Sequence, residues 1–147
     1  MRPDYTLTDR DFINPDTIDL YGNTNAHLLT APPVAFVLEF PGLGGGSCLG
    51  GCMDMAPYNG PLSGVLAEHG ILQAYVFPGP WSWMNAQAVR YVDKVIEVAC
   101  ARHGLDPDKT PIIIEGGSMG GHSALVYTRY AKRTPKACVT NCPVCDF

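Results

Sequence analysis

From Val34 to Phe40 the chain reads VAFVLEF, an almost unbroken apolar run of strand length. Such runs suit strands buried on both faces of a sheet. The next periodic stretch, GPLSGVLAEHG, sets Leu62, Val65, Leu66 and His69 on one helical face, with Pro61 near its start and Gly70 at its stop. ILQAYVF (Ile71–Phe77) predicts a second strand. After the loop PGPWSWMN, Ala88, Val92, Val95, Ile96 and Ala99 recur at helical spacing opposite Arg90, Asp93, Lys94 and Glu97. Gly104 stops that helix and DPDK forms a turn. PIIIE predicts a third strand, followed by a helix to about Lys132 that Thr134-Pro135 closes, then a last strand over Ala137–Val144. Upstream, Thr17–Tyr21 and Ala26–Thr30 are short strand candidates around a Gly22-Asn23 turn signal.

Strands alternating with helices from Val34 onward predict an α/β fold: a mostly parallel sheet in one domain, with helices on both faces. Ligands of such sheets bind at the carboxyl ends of the strands. The unusual loops fall there: the glycines after Phe40, the tryptophans after Phe77, and Ser118 after Glu115.

Composition narrows the partners. Net charge is -4, so neither nucleic acid nor an anionic membrane is expected as a partner, because both select a basic face. No apolar run approaches membrane-spanning length, and the N-terminal stretch MRPDYTLTDRDFINPD has no signal-peptide core. A cytoplasmic setting is therefore expected. Of the six cysteines, Cys48–Cys52 and Cys142–Cys145 are closely spaced, the second pair within CPVC. Together they have the number of thiolates a zinc site needs, but only one pair has zinc-ribbon spacing. Free thiols behaving as small apolar residues are the other reading. No cofactor or metal is predicted.

The stretch Gly116-Gly117-Ser118-Met119-Gly120 fits G-x-S-x-G between a predicted strand and a predicted helix. A serine in such a turn is lifted above the sheet edge, and small neighbours let strand and helix backbones approach. The Met119 amide, opening the helix, would then face a substrate oxyanion. A glycine-rich turn without chemistry is the alternative.

This stretch resembles the nucleophile elbow of the α/β-hydrolase superfamily. The run from MNAQAVRYVDKVIEVACARHGLDPDKT through PIIIEGGSMGGHSAL is most similar to its esterase and prolyl-oligopeptidase-like branches. The resemblance spans about Val34 to Phe147 and implies that Val34–Phe40 is the family's third strand and Ala137–Val144 its sixth. It implies a second oxyanion amide in the loop Pro41-Gly42-Leu43-Gly44-Gly45-Gly46-Ser47, Leu43 by position and Gly44 next, although a proline stands where the family has histidine. The same loop just misses a dinucleotide fingerprint.

A serine hydroxyl needs a base, and the family's order is serine, acid, histidine. The one histidine after Ser118 is His122, four residues along the same helix, where a packing role is expected. His27, His69 and His103 precede the serine. Asp146 follows the last strand, where some family members carry the acid. The resemblance thus implies a chain that ends before the catalytic histidine. Trp81 and Trp83 either wall a moderately apolar substrate pocket or cover the core.

Three functions are in play: a serine hydrolase acting on a small ester or peptide through an acyl-enzyme, an inactive hydrolase-like binding or assembly module, and a thiolate metal protein. An apolar edge strand and a partly bare sheet face are expected at Ala137–Val144. The polypeptide alone is accordingly predicted to aggregate, to form homo-oligomers, or to be completed by another chain. Light scattering with calorimetry checks this, and a monomer melting in one cooperative step contradicts it.

Overall fold

Four strands pair in parallel: β1 (Ala35–Phe40), β2 (Ile71–Tyr75), β3 (Ile112–Gly117) and β4 (Ala137–Asn141), arranged β2-β1-β3-β4. They are joined by helices α1 (Ser63–Glu68), α2 (Ala86–Arg102) and α3 (Met119–Tyr130). The computed structural model describes residues 24–42, 62–79 and 82–146. The architecture is the expected α/β class. Because β2 lies on one side of β1 and β3 on the other, the connections reverse direction between β1 and β3. A crevice forms at such a reversal, outside the carboxyl ends of the strands.

One sheet face carries the core. Phe36, Leu38, Phe40, Leu72, Ala74, Ile112 and Ile114 form a single buried cluster with Ala88, Val92, Val95, Ile96 and Ala99 of α2 and with Ala124 and Tyr127 of α3. The α2 periodicity read from the sequence is the face observed. Asn85 caps this helix, its Oδ1 accepting from the amides of Gln87 and Ala88 at 3.0 Å each. Gly104, at φ 69, lets the chain leave. The Tyr127 ring meets Phe40 edge-on at 5.9 Å, and its hydroxyl donates to Asp93 at 2.8 Å. Asp93 also accepts the Lys132 amide at 3.1 Å, so α2 holds the end of α3.

The second face departs from expectation in α1. Ser63 and Ala67 are the buried residues, while Leu62 and Val65 are 55% and 52% exposed. Small side chains let the helix lie close to β2, and the Ser63 hydroxyl donates to Gln73 Oε1 at 2.9 Å. Ala26–Thr30 is not a strand: Ala26–Leu28 is a 3-10 turn. The fully buried Asn25 accounts for this. Its side chain donates to the carbonyls of Ser63 and Ile71 and accepts the Gln73 amide at 2.7 Å, replacing ladder bonds along β2. The Thr17–Tyr21 candidate lies outside the described residues. Strand β2 ends at Tyr75 rather than Phe77, α3 at Tyr130 rather than Lys132, and β4 at Asn141 rather than Val144. Cys142, at φ 46 and followed by Pro143, turns the chain out of the β4 ladder.

Burial on this face falls off from β2 to β4. Gln73 and Val37 are buried, Glu39 and Glu115 are half-buried, and Val139 is 58% exposed. Glu39 and Glu115 are register partners on β1 and β3. Gln73 Nε2 donates to both, at 3.2 and 3.3 Å. They floor a cleft of about 320 Å³ walled by Leu62 and Val139 and reaching Gly117 and Asn141. Burial, and then the charge of Glu39, raise the Glu115 carboxyl above its ordinary 4.5 against the Gln73 bond. The folded chain therefore holds this proton to higher pH than the unfolded chain. The associated stability is complete below the unfolded value and is lost as pH rises through the folded value. Glu115→Gln is expected to melt higher than the parent at neutral pH and to converge with it near about pH 4. Melting curves across that range check this, and a pH-independent difference contradicts it.

Candidate active site

Strand β3 ends in two glycines, and the next residue, Ser118, has φ 54 and ψ -121. That conformation is strained for a residue with a β-carbon and persists only where the surroundings impose it. Three main-chain bonds do so here. The Ser118 amide donates to Asn141 O at 3.0 Å, and Ser118 O accepts from His122 N at 3.1 Å and Val144 N at 3.2 Å. The side chain is exposed and makes no capping bond to α3.

Glycines bring the elements together. A β-carbon on Gly120 would overlap the Phe40 carbonyl, so α3 sits directly against the end of the β1 backbone. One on Gly116 would overlap the Gly120 carbonyl, and one on Gly121 would come within 3.0 Å of Pro143. Gly42, just past β1, is equally close: a β-carbon there would lie 3.3 Å from Gly117 O and 3.8 Å from Ser118 Cβ. The loop after β1 thus begins beside the serine, at the crevice between β1 and β3.

Met119 is buried, and its amide opens α3. The first amides of a helix have no carbonyl within the helix to bond, and Met119, next to Ser118, is the first residue of α3. Leu43, Gly44 and Trp81 lie outside the described residues, as do Cys48 and Cys52. Trp83 is half-buried at φ 45, its ring edge-on to His122 at 5.5 Å. His122 is engaged by Val144 O, 2.9 Å from its Nδ1, which places the proton on that nitrogen. Asp146 is exposed, beyond that anchor.

All four histidines of the chain are described. His69 follows α1 and His103 follows α2, at the amino ends of β2 and β3 and so across the sheet from Ser118. His27 lies in the 3-10 turn that borders β2, two strands from β3. None of these three stands at Ser118. The structure brings Gly42, Met119 and the His122 amide to the serine, sets Trp83 against the His122 ring, and leaves Asp146 on the surface. Sequence reasoning missed the Asn141 and Val144 anchors and the Glu39–Gln73–Glu115 floor of the neighbouring cleft. The glutamates carried a signal, a single charge near the carboxyl end of each of two apolar strands. Among the described residues, no cluster of His, Cys, Asp and Glu is placed to hold a metal, and no helix is long and apolar enough to cross a membrane.

Compared with known proteins, the chain matches no family model and no curated sequence.

Gly120→Ala weighs two opposed effects. Helix propensity favours alanine by about 1 kcal/mol, whereas overpacking against the Phe40 carbonyl costs about 1–3 kcal/mol or more. Net destabilisation is expected in denaturant titrations. Gly64→Ala, in α1 with open space around its new methyl, is the control and gains up to about 1 kcal/mol. Equal gains at both positions contradict the seating of α3 on β1.

Proposed function

We propose that this chain carries the nucleophile and oxyanion elements of a serine hydrolase of the α/β-hydrolase type, acting on small esters or peptides through an acyl-enzyme. The observation that carries this reading is the strained Ser118, held by three main-chain bonds and exposed where Gly42 and the opening of α3 converge. Ser118 Oγ attacks the acyl carbonyl. The Met119 amide and an amide of the loop after Gly42, Leu43 first and Gly44 next, receive the negative charge on the carbonyl oxygen. Collapse expels the alcohol or amine, and water then releases the acid. With none of the chain's four histidines placed to take the serine proton, this reading requires a base supplied by another group. The cleft beside Gly117 offers a place for part of the substrate, with Leu62 and Val139 as its apolar walls.

A second reading is favoured by the histidines. With His122 spent on Val144 and the other three at a distance, the same architecture serves equally as an inactive binding or assembly module. Zinc binding through the thiolates draws no support from the described residues, outside which Cys48 and Cys52 lie.

A fluorophosphonate separates the two, with added imidazole as the substitute base. An oxyanion site without its base retains roughly 10³–10⁴-fold catalysis over water. Slow labelling of Ser118 is therefore expected, accelerated by imidazole and absent in Ser118→Ala. No adduct at any imidazole concentration, or equal labelling of Ser118→Ala, removes the hydrolase reading and leaves the binding module.

A further inference from the structure

Two of the bonds that seat Ser118 come from the residue before a CPVC segment and from the valine within it. Asn141 O takes the Ser118 amide immediately before Cys142, and the Val144 amide donates to Ser118 O immediately before Cys145. Val144 O also binds His122 Nδ1. Both thiols are exposed, whereas Cys138 is half-buried in β4 and Cys100 is fully buried, its thiol pushed up to about 11 by burial. Cys142 sits at φ 46, a conformation disfavoured by its β-carbon, and Pro143 packs against Gly121 of α3.

We propose that Cys142 and Cys145 are a reversible thiol–disulfide pair whose closure loosens the seat of Ser118. A disulfide requires Cα atoms roughly 4.4–6.8 Å apart, which residues three apart reach in a tight turn. Residues 143–145 form no hydrogen-bonded turn here; Val144 instead bonds Ser118 through its amide and His122 through its carbonyl. Closing the turn rotates Val144 out of one or both bonds. The oxidant is a small disulfide such as glutathione disulfide. One cysteine thiolate attacks it and releases a glutathione thiolate, and the second cysteine attacks the mixed disulfide and releases another. Two electrons pass from the pair to glutathione, and the two thiol protons end on the glutathione thiols. The effect on acyl transfer rests on the proposed hydrolase reading, but the disulfide and its effect on the Ser118 main chain do not.

The test treats the whole chain with glutathione disulfide and then with dithiothreitol. The tryptic peptide Ala137–Phe147 also contains Cys138, so fragmentation locates the bond. Amide exchange by NMR reads the Ser118 and Val144 anchors. The expected result is a Cys142–Cys145 bond, with the Val144 amide exchanging at least about tenfold faster. The change reverses on reduction and is absent in Cys145→Ser. Glutathione adducts without an internal bond, a bond to Cys138, or a Cys142–Cys145 bond with unchanged exchange overturns the proposal. If the pair closes and loosens the anchors while Ser118 never labels with fluorophosphonate, the switch stands and the hydrolase reading falls.

Discussion

The backbone contact between Gly120 and the Phe40 carbonyl sets the rest of this structure. With no β-carbon at Gly120, the first turn of α3 comes down onto the end of β1. Gly116 permits the same approach on β3. That closeness leaves Ser118 to make a sharp turn between strand and helix, and it takes the strained φ of 54. A β-carbon at either glycine would push α3 outward and relax the turn. The strain is thus a consequence of packing, and the bonds to Asn141 and Val144 hold it from the side of β4.

The same close packing explains the asymmetry of the two faces. On the α2–α3 side, Phe40, Tyr127 and the α2 residues complete a continuous core, and Asp93 ties the two helices together. On the α1 side, a short helix with a small-residue face covers β2, and the sheet opens toward β4. Parallel strands are ordinarily covered on both faces. The half-buried glutamate pair and exposed Val139 lie where that cover thins.

Much of this was legible in the sequence because apolar periodicity follows burial. The Ala88–Ala99 spacing gave a helix where the structure has it, and VAFVLEF gave a strand that begins one residue later, at Ala35, with Val34 67% exposed ahead of it. Reasoning failed where polar or small residues face inward. Ser63 and Ala67, not Leu62 and Val65, seat α1, and the Asn25 side chain replaces a strand with a turn. At the site, the glycines and Ser118 were visible as a motif. The His122–Val144 bond and the convergence of Glu39 with Glu115 depend on strand register and on how the chain leaves β4, which spacing along the sequence does not encode.

The central claim is that the elbow presents Ser118 Oγ beside amides able to receive negative charge. A boronic acid tests it most directly, since boron adds to the hydroxyl and mimics the tetrahedral intermediate. A crystal structure with phenylboronic acid should show tetrahedral boron on Ser118 Oγ, with one boron oxygen about 2.7–3.1 Å from the Met119 nitrogen. An unmodified Ser118 at saturating ligand, or tetrahedral boron with its oxygens turned away from Met119, would contradict the account.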